Sequence, residues 1–319
     1  MAFPMRLALA GDTMLGRKVA ERLCEAGPES LFAPEVVEAA CDADLLIVNL
    51  ECCISERGAP APNRVFHFRA PPVAAKALAH LGVDCVTLAN NHALDYGPAA
   101  LTDTLEHLHA AGIGAIGAGA NEDDARATLR LEASGERLRA VAFSDHPAEY
   151  AARPDRAGIA HADLSRGKLP DWLVESVQPG DAEPVLVCAH WGPNMTQVPV
   201  REVRRAAEAL EETGVALVAG HSAHVFHGVA GRVLFDLGDF VDDYRVEPRL
   251  RNDLGLLWFV EMGGADLVRI EALPLKLDYC HTRVARGRDR EWIEARLLRA
   301  CAELGTQAER RDGRLVIEP

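Results

Sequence analysis

Five apolar runs in this chain each end in residues that can bind a metal or move a proton. RLALAG (Arg6–Gly11) runs into Asp12, and LLIVNL runs into Glu51. DCVTLA is followed by Asn90, Asn91 and His92, PVLVCA by His190, and ALVAG by His221 with His224 just beyond. Carboxylates, imidazoles and a side-chain amide are the oxygen and nitrogen donors that hold divalent cations such as Mn, Fe or Zn. A neutral imidazole beside such a cation can act as a general acid or base. Taken singly, each residue has a plainer reading: Asp12 or Asn90 as a turn or cap, His190 as a hydrogen-bonded core histidine. Taken together, ligand-competent side chains on five strand ends are hard to assign to turn chemistry.

The elements that must position them alternate along the chain. Helical patterns cover Arg17–Ala26, Pro34–Cys41, Pro72–Leu81, Pro98–Ala111, Val200–Thr213 and Asp289–Glu303. Val200, Val203, Ala206, Ala207 and Leu210 recur at three-four spacing, which buries one face of a helix. Pro34, Pro72 and Pro98 fall where a first helical turn tolerates proline. Further strand patterns occur in RAVAF, RVLFDL, LLWFVEM and LVRIEAL. Strand–helix alternation with short turns predicts an α/β fold, and open α/β sheets gather their sites at the carboxyl ends of strands. Composition changes after about Leu275, so residues 1–275 are expected to form one domain and 276–319 an appendage or cap.

Composition narrows the function. The 319 residues include 34 Lys+Arg and 48 Asp+Glu, a formal charge of −14. That balance argues against nucleic acid and anionic membranes, unless a local positive centre overrides the overall field. The N-terminal apolar run stops at Asp12, and no stretch reaches the roughly 18 apolar residues of a membrane helix, so a soluble, cytoplasmic protein is expected. The eight cysteines form no CxxC pair and read as buried thiols, with Cys280 beside His281 the one candidate for reactivity.

GDTMLGR (Gly11–Arg17), NLE (Asn49–Glu51), LANNHALDYG (Leu88–Gly97), HWG (His190–Gly192), GHSAHV (Gly220–Val225) and LGDF (Leu237–Phe240) occur in the order found in the CapA family. Over residues 5–245 the chain resembles that family, the poly-γ-glutamate capsule-synthesis type with a calcineurin-like metallophosphoesterase architecture. The resemblance implies a four-layer αββα sandwich of two mixed sheets with flanking helices, holding one or two divalent metals above the strand ends. It implies Asp12 and His224 on a first metal, Glu51 as the bridging carboxylate, and Asn91, His190 and His221 on a second. His92 would face the substrate as acid or base, with Asp12 or a tail residue such as His281 as its counterpart. Two divalent ions against two carboxylates would leave the local positive centre that the overall charge lacks. Arg17, Asn90, Asp145 and Trp191 are expected to line the substrate site, and His146 ends the same strand as Asp145.

The sequence also departs from the wider superfamily. Thr13 and Met14 follow Asp12 where Asp-x-His is usual, Ser222 replaces a histidine, Pro193 and Asn194 follow HWG, and Asp239 stands where GNF is usual. The resemblance extends to soluble relatives that tailor ribosomal peptides, among them a lasso-peptide epimerase. The favoured expectation is a peptide substrate inverted at a Cα by metal-assisted acid/base chemistry. The rivals are a metal-dependent phosphoesterase or amide hydrolase, and a protein of poly-γ-glutamate biosynthesis or binding.

Overall fold

The computed structural model of the chain describes residues 4–165, 167–178 and 183–318. Its centre is the strand Met5–Thr13, the RLALAG run of the sequence. This strand pairs parallel with Leu45–Leu50 and antiparallel with Leu254–Gly263. Cys85–Thr87 and Gly114–Ile116 extend one side of a ten-stranded sheet; Asp266–Asp278, Arg314–Ile317 and Ala308–Arg311 extend the other. A second, six-stranded sheet has the parallel strands Glu136–Ser144, Val185–His190 and Leu217–His221 at its middle.

The two sheets face each other across one apolar layer. Leu7, Leu9, Ile47 and Trp258 from the first sheet meet Ala140, Leu186, Cys188 and Ala219 from the second. Alternation along each strand then turns the next residues outward. Ala8, Ala10, Leu46 and Val48 pack under the helices Arg17–Ala26, Pro34–Cys41, Val73–Leu81 and Gly97–Ala110. Val187 and Val218 pack under Asp171–Val177 and Arg201–Glu212, the latter presenting Val203, Ala206, Ala207 and Leu210 as its spacing predicts. The result is the expected αββα sandwich. Strands buried on both faces explain why these runs read as continuous apolar sequence, not as an alternating pattern.

Two details position the site. The first strand shifts register between Ala10 and Asp12, where it kinks against its neighbours. Gly11 sits at that kink because a Cβ there would lie 1.8 Å from Gly238 O. In the second sheet, Ser144, His190 and His221 occupy one register row, so parallel pairing delivers two imidazoles side by side.

The boundary expected at residue 275 falls inside the strand Asp266–Asp278. Beyond it, His281–Val284 joins the ten-stranded sheet, and Ile293, Leu297 and Cys301 of the helix Gly287–Glu303 pack into the layer between the sheets. Among the described residues no helix is long and apolar enough to cross a membrane.

Candidate metal centre and adjoining pocket

Asp12 lies at the middle of the buried polar cluster. Its Oδ1 accepts a hydrogen bond from Asn49 Nδ2 at 2.7 Å and lies 3.3 Å from His221 Nδ1. Its Oδ2 lies 3.2 Å from His224 Nδ1, which is also 2.8 Å from Asp239 Oδ1. Glu51 is fully buried, with His190 Nδ1 3.6 Å from Oε1. Ligand atoms converge in two triads, Asp12–Glu51–His190 and Asp12–His224–Asp239, each with its atoms within 4.8 Å of one another. Asp12, not Glu51, is common to both.

The donor set fits divalent cations. Both Glu51 oxygens, Asp12 Oδ2, Asp239 Oδ2, Asn91 Oδ1, His190 Nδ1 and His221 Nδ1 are buried with no hydrogen-bond partner. Orphaned carboxylates in a dry interior cost several kcal/mol each unless a cation compensates them. The electrostatics carry the same strain. Burial, with Asp12 nearby, pushes the Glu51 carboxyl well above the usual carboxylate range, and burial does the same to Asp239. Burial would also raise Asp12, but the His221 and His224 imidazoles hold it well below. Burial opposes protonation of His224, and the adjacent Asp239 and Asp12 reverse that, raising it well above the ordinary histidine value. Burial and the nearby His146 push His190 well below that value.

Beside the cluster opens a cavity of about 770 Å³ whose lining includes Asn91, His92 and His224. His92 Nδ1 is 2.6 Å from Asp95 Oδ2, and its ring stacks on Phe68 with centroids 4.1 Å apart. Burial lowers the His92 pKa, and the Asp95 carboxylate offsets part of that fall, favouring a neutral ring. Asp95 also accepts the Phe68 backbone N–H at 2.7 Å and lies 3.4 Å from the Arg64 guanidinium. One carboxylate thus fixes the imidazole and the loop over it. Arg17 lines the pocket wall, paired with Asp243 and stacked over Phe68 at 4.8 Å and Tyr244 at 5.4 Å.

Several expected residues lie elsewhere. Asn90 is fully buried: its amide donates to Asn49 Oδ1 and Leu50 O and accepts from the His92 N–H, so it clamps two loops and does not line the pocket. Trp191 packs edge-on to Phe143 in the outer core, with Nε1 donating to Phe235 O at 3.0 Å. Asp145 accepts the Gly192 N–H at 2.9 Å and pairs with His146, bracing the HWG turn from outside the pocket lining. Asp12 is buried and is not among the residues that line the pocket. His281 Nδ1 is engaged by Ser30 O at 2.9 Å, and burial pushes the Cys280 thiol up to about 11. Neither reaches the cavity.

Sequence reasoning missed Asp239, Asp95 and Arg64. Asp239 is visible in the sequence only as the departure from the usual GNF, with no ligand role attached to it. It begins a strand, Asp239–Val241, that pairs parallel with the first strand and places Asp239 opposite Asp12.

An αββα sandwich with a carboxylate–imidazole cluster at its strand ends defines a protein of the metallophosphoesterase-like class. The family described as "Bacterial capsule synthesis protein PGA_cap" matches residues 6–244. The chain belongs to this family. It is 30% identical over 295 residues to a "Probable polyglutamine synthesis accessory protein" of Mycobacterium tuberculosis, covering 86% of this chain and 76% of the relative. It is 27% identical to the "PGA biosynthesis protein CapA" of Bacillus subtilis, covering 85% of this chain and 71% of that one. With the "Capsule biosynthesis protein CapA" of Bacillus anthracis the identity is 25%, over 75% and 60% of the two chains. The crystal structure of a hypothetical protein from Thermus thermophilus superposes with a TM-score of 0.51 at 19% identity, over 86% of this chain and all of that one, a likeness of fold.

Proposed function

We propose that this protein is a metal-dependent acid/base enzyme acting at or beside an amide bond of a carboxylate-bearing peptide. The observation that carries this reading is one cavity that brings Asn91, His92 and His224 together with the guanidinium groups of Arg17, Arg64 and Arg245. Among the described residues, Glu149 is the one carboxylate in its lining. A cationic pocket on a chain of charge −14 is suited to an anionic ligand. The relatives' names, which speak of capsule, PGA and polyglutamine synthesis, bring a glutamate-type polymer into the reading.

Asp12, Glu51, Asn91, His190, His221, His224 and Asp239 would hold one or two divalent ions. Such ions supply Lewis acidity toward a substrate carbonyl. The chain's own residues do the rest. The exposed Arg245, with no ion-pair partner among the described residues, is the guanidinium placed to bind a substrate carboxylate in fork geometry, while Arg17 and Arg64, held by Asp243 and Asp95 and stacked on aromatic rings, line the pocket beside it. Phe68 covers one face of His92 and keeps water from it. Asp95 holds the Nδ1–H of a neutral His92, so that Nε2 takes a proton, from an attacking water or from a Cα, and the resulting imidazolium can then pass that proton to a leaving amine or back to carbon.

Inversion at Cα is the second reading, and it would place the protein with enzymes that tailor ribosomal peptides, including the lasso type. It needs a proton donor and acceptor on opposite faces, and His92, which lines the cavity, would be one of that pair. Hydrolysis of a phosphoester, the reaction of the wider fold class, is the third. Incubating the metal-loaded protein in D2O with oligo-γ-glutamate and with acidic peptides separates them. New amine ends support amide chemistry, and Cα deuterium without cleavage supports inversion. Turnover of an aryl phosphate with neither would overturn the proposal.

A further inference from the structure

The family match ends at residue 244, yet later elements reach back to the candidate metal centre. Thr282, in the strand His281–Val284, donates its hydroxyl to Phe240 O. The Cys280 N–H donates to Asp242 O at 3.0 Å. Phe240 and Asp242 follow Asp239 closely in the chain, so this strand grips the segment that carries one candidate ligand. A second grip falls on the His224 loop. Arg296, on the helix Gly287–Glu303, is 8% exposed and donates to Phe226 O and Leu250 O at 3.3 Å each. Its guanidinium lies over the Phe226 ring at 5.0 Å.

The same helix touches that loop through backbone. A Cβ on Gly228 would lie 2.5 Å from Ala300 C and 2.8 Å from Cys301 N, so only glycine lets the two approach. Among the described residues, Arg296 has no carboxylate partner: its planar fork is satisfied by carbonyls alone, which fixes where those carbonyls can lie. Among the described residues, no hydrogen bond or ion pair runs from residues 280–301 to Glu51, Asn91 or His190. Asp12 belongs to both triads, so what distinguishes them is His224 and Asp239 on one side, Glu51 and His190 on the other.

We propose that the segment from Cys280 to Cys301 positions the His224–Asp239 half of the metal centre, with Arg296 and Thr282 as positioning residues. The affinity of one of two metal positions is then set by the C-terminal elements, and that of the other is independent of them. The proposal rests on the reading that the two triads hold metal ions. Outer contacts that orient ligands typically change metal affinity by about 10–100-fold, so the effect is measurable without any substrate.

The test is calorimetric titration of the metal-free full chain with Mn²⁺, accompanied by electron paramagnetic resonance. Arg296→Met keeps the aliphatic stem and removes the donors, Arg296→Lys returns one donor, and Thr282→Val removes the hydroxyl. Leu210→Ala, in the helix on the far face of the second sheet, matches the loss of thermal stability without touching either grip. The wild type binds two equivalents. Arg296→Met and Thr282→Val weaken the same single equivalent about tenfold or more, Arg296→Lys recovers part of it, and Leu210→Ala leaves both intact. Should Arg296→Met fail to fold, Thr282→Val carries the test alone. Both equivalents unchanged, or both weakened alike and in step with Leu210→Ala, would overturn the positioning role. A wild type that binds no Mn²⁺ would overturn the metal reading itself, and this proposal with it.

Discussion

Asp239 stands directly across from Asp12. The two residues pair in register on parallel strands, and His224 Nδ1 lies between their carboxylates, 2.8 Å from Asp239 Oδ1 and 3.2 Å from Asp12 Oδ2. Two buried carboxylates sharing one imidazole form half of a cation site that depends on Asp239 as much as on Asp12. Asp239→Asn keeps the shape and removes the charge. It is expected to lose one metal equivalent while Asp12, Glu51 and His190 keep the other, as read by metal analysis after dialysis. Unchanged content at both positions would remove Asp239 from the ligand set.

His92 is expected to act on protons and not to hold metal. His92→Ala should lower turnover by about 10²–10⁴, the usual contribution of a positioned acid or base, with metal content unchanged. Asp95→Asn should lower it too, because the Nδ1 partner that sets the tautomer is altered. A His92→Ala protein with full activity on every substrate class would separate His92 from the chemistry.

Arg245 is exposed at the pocket and has no ion-pair partner among the described residues. Arg245→Gln should raise KM for a carboxylate-bearing peptide several-fold, leave kcat and metal content alone, and blunt the dependence of KM on salt. Equal KM values for the variant and the wild type across ionic strength would exclude a role in binding.

Asp253 makes stability depend on pH. Burial would raise its carboxyl, but Arg251 and Lys276 hold it below the ordinary aspartate value. The stabilisation is therefore complete above the unfolded-state value and lost as pH falls through the lower, folded-state one. Asp253→Asn should lower the melting temperature by a few degrees at pH 7, and the gap should close as pH falls below about 4. Arg251 also reaches Asp289 at 2.7 Å, so the same variant is expected to loosen the C-terminal helix in hydrogen exchange. A gap that stays constant down to pH 2 would assign the effect to packing.

Much of this was legible in the sequence because strands buried on both faces read as short apolar runs, and those runs end where the sheet ends. Asp12, Glu51, His190 and His221 stand at such strand ends, and the helices Arg17–Ala26 and Pro34–Cys41 have the bounds expected of them. Asn90 and Trp191 stand next to candidate ligands in the chain, but their hydrogen bonds to Asn49, Leu50 and Phe235 turn them away from the cavity. Asp239 sits on a three-residue strand whose pairing with the first strand is set by long-range contacts that no local pattern records. Arg64 and Tyr244 reach the pocket from loops without periodicity. The antiparallel pairing of Arg314–Ile317 with Asp266–Asp278 likewise belongs to the tertiary fold.

A metal centre organised around Asp12 is tested most directly by metal content. Mass spectrometry on untagged protein purified without chelator, beside Asp12→Asn, compares the intact centre with one whose shared ligand is neutralised. The wild type should carry about two equivalents of Mn, Fe or Zn and the folded variant neither. A wild-type protein that binds no divalent metal, even after incubation with excess ions, would contradict a metal centre at Asp12.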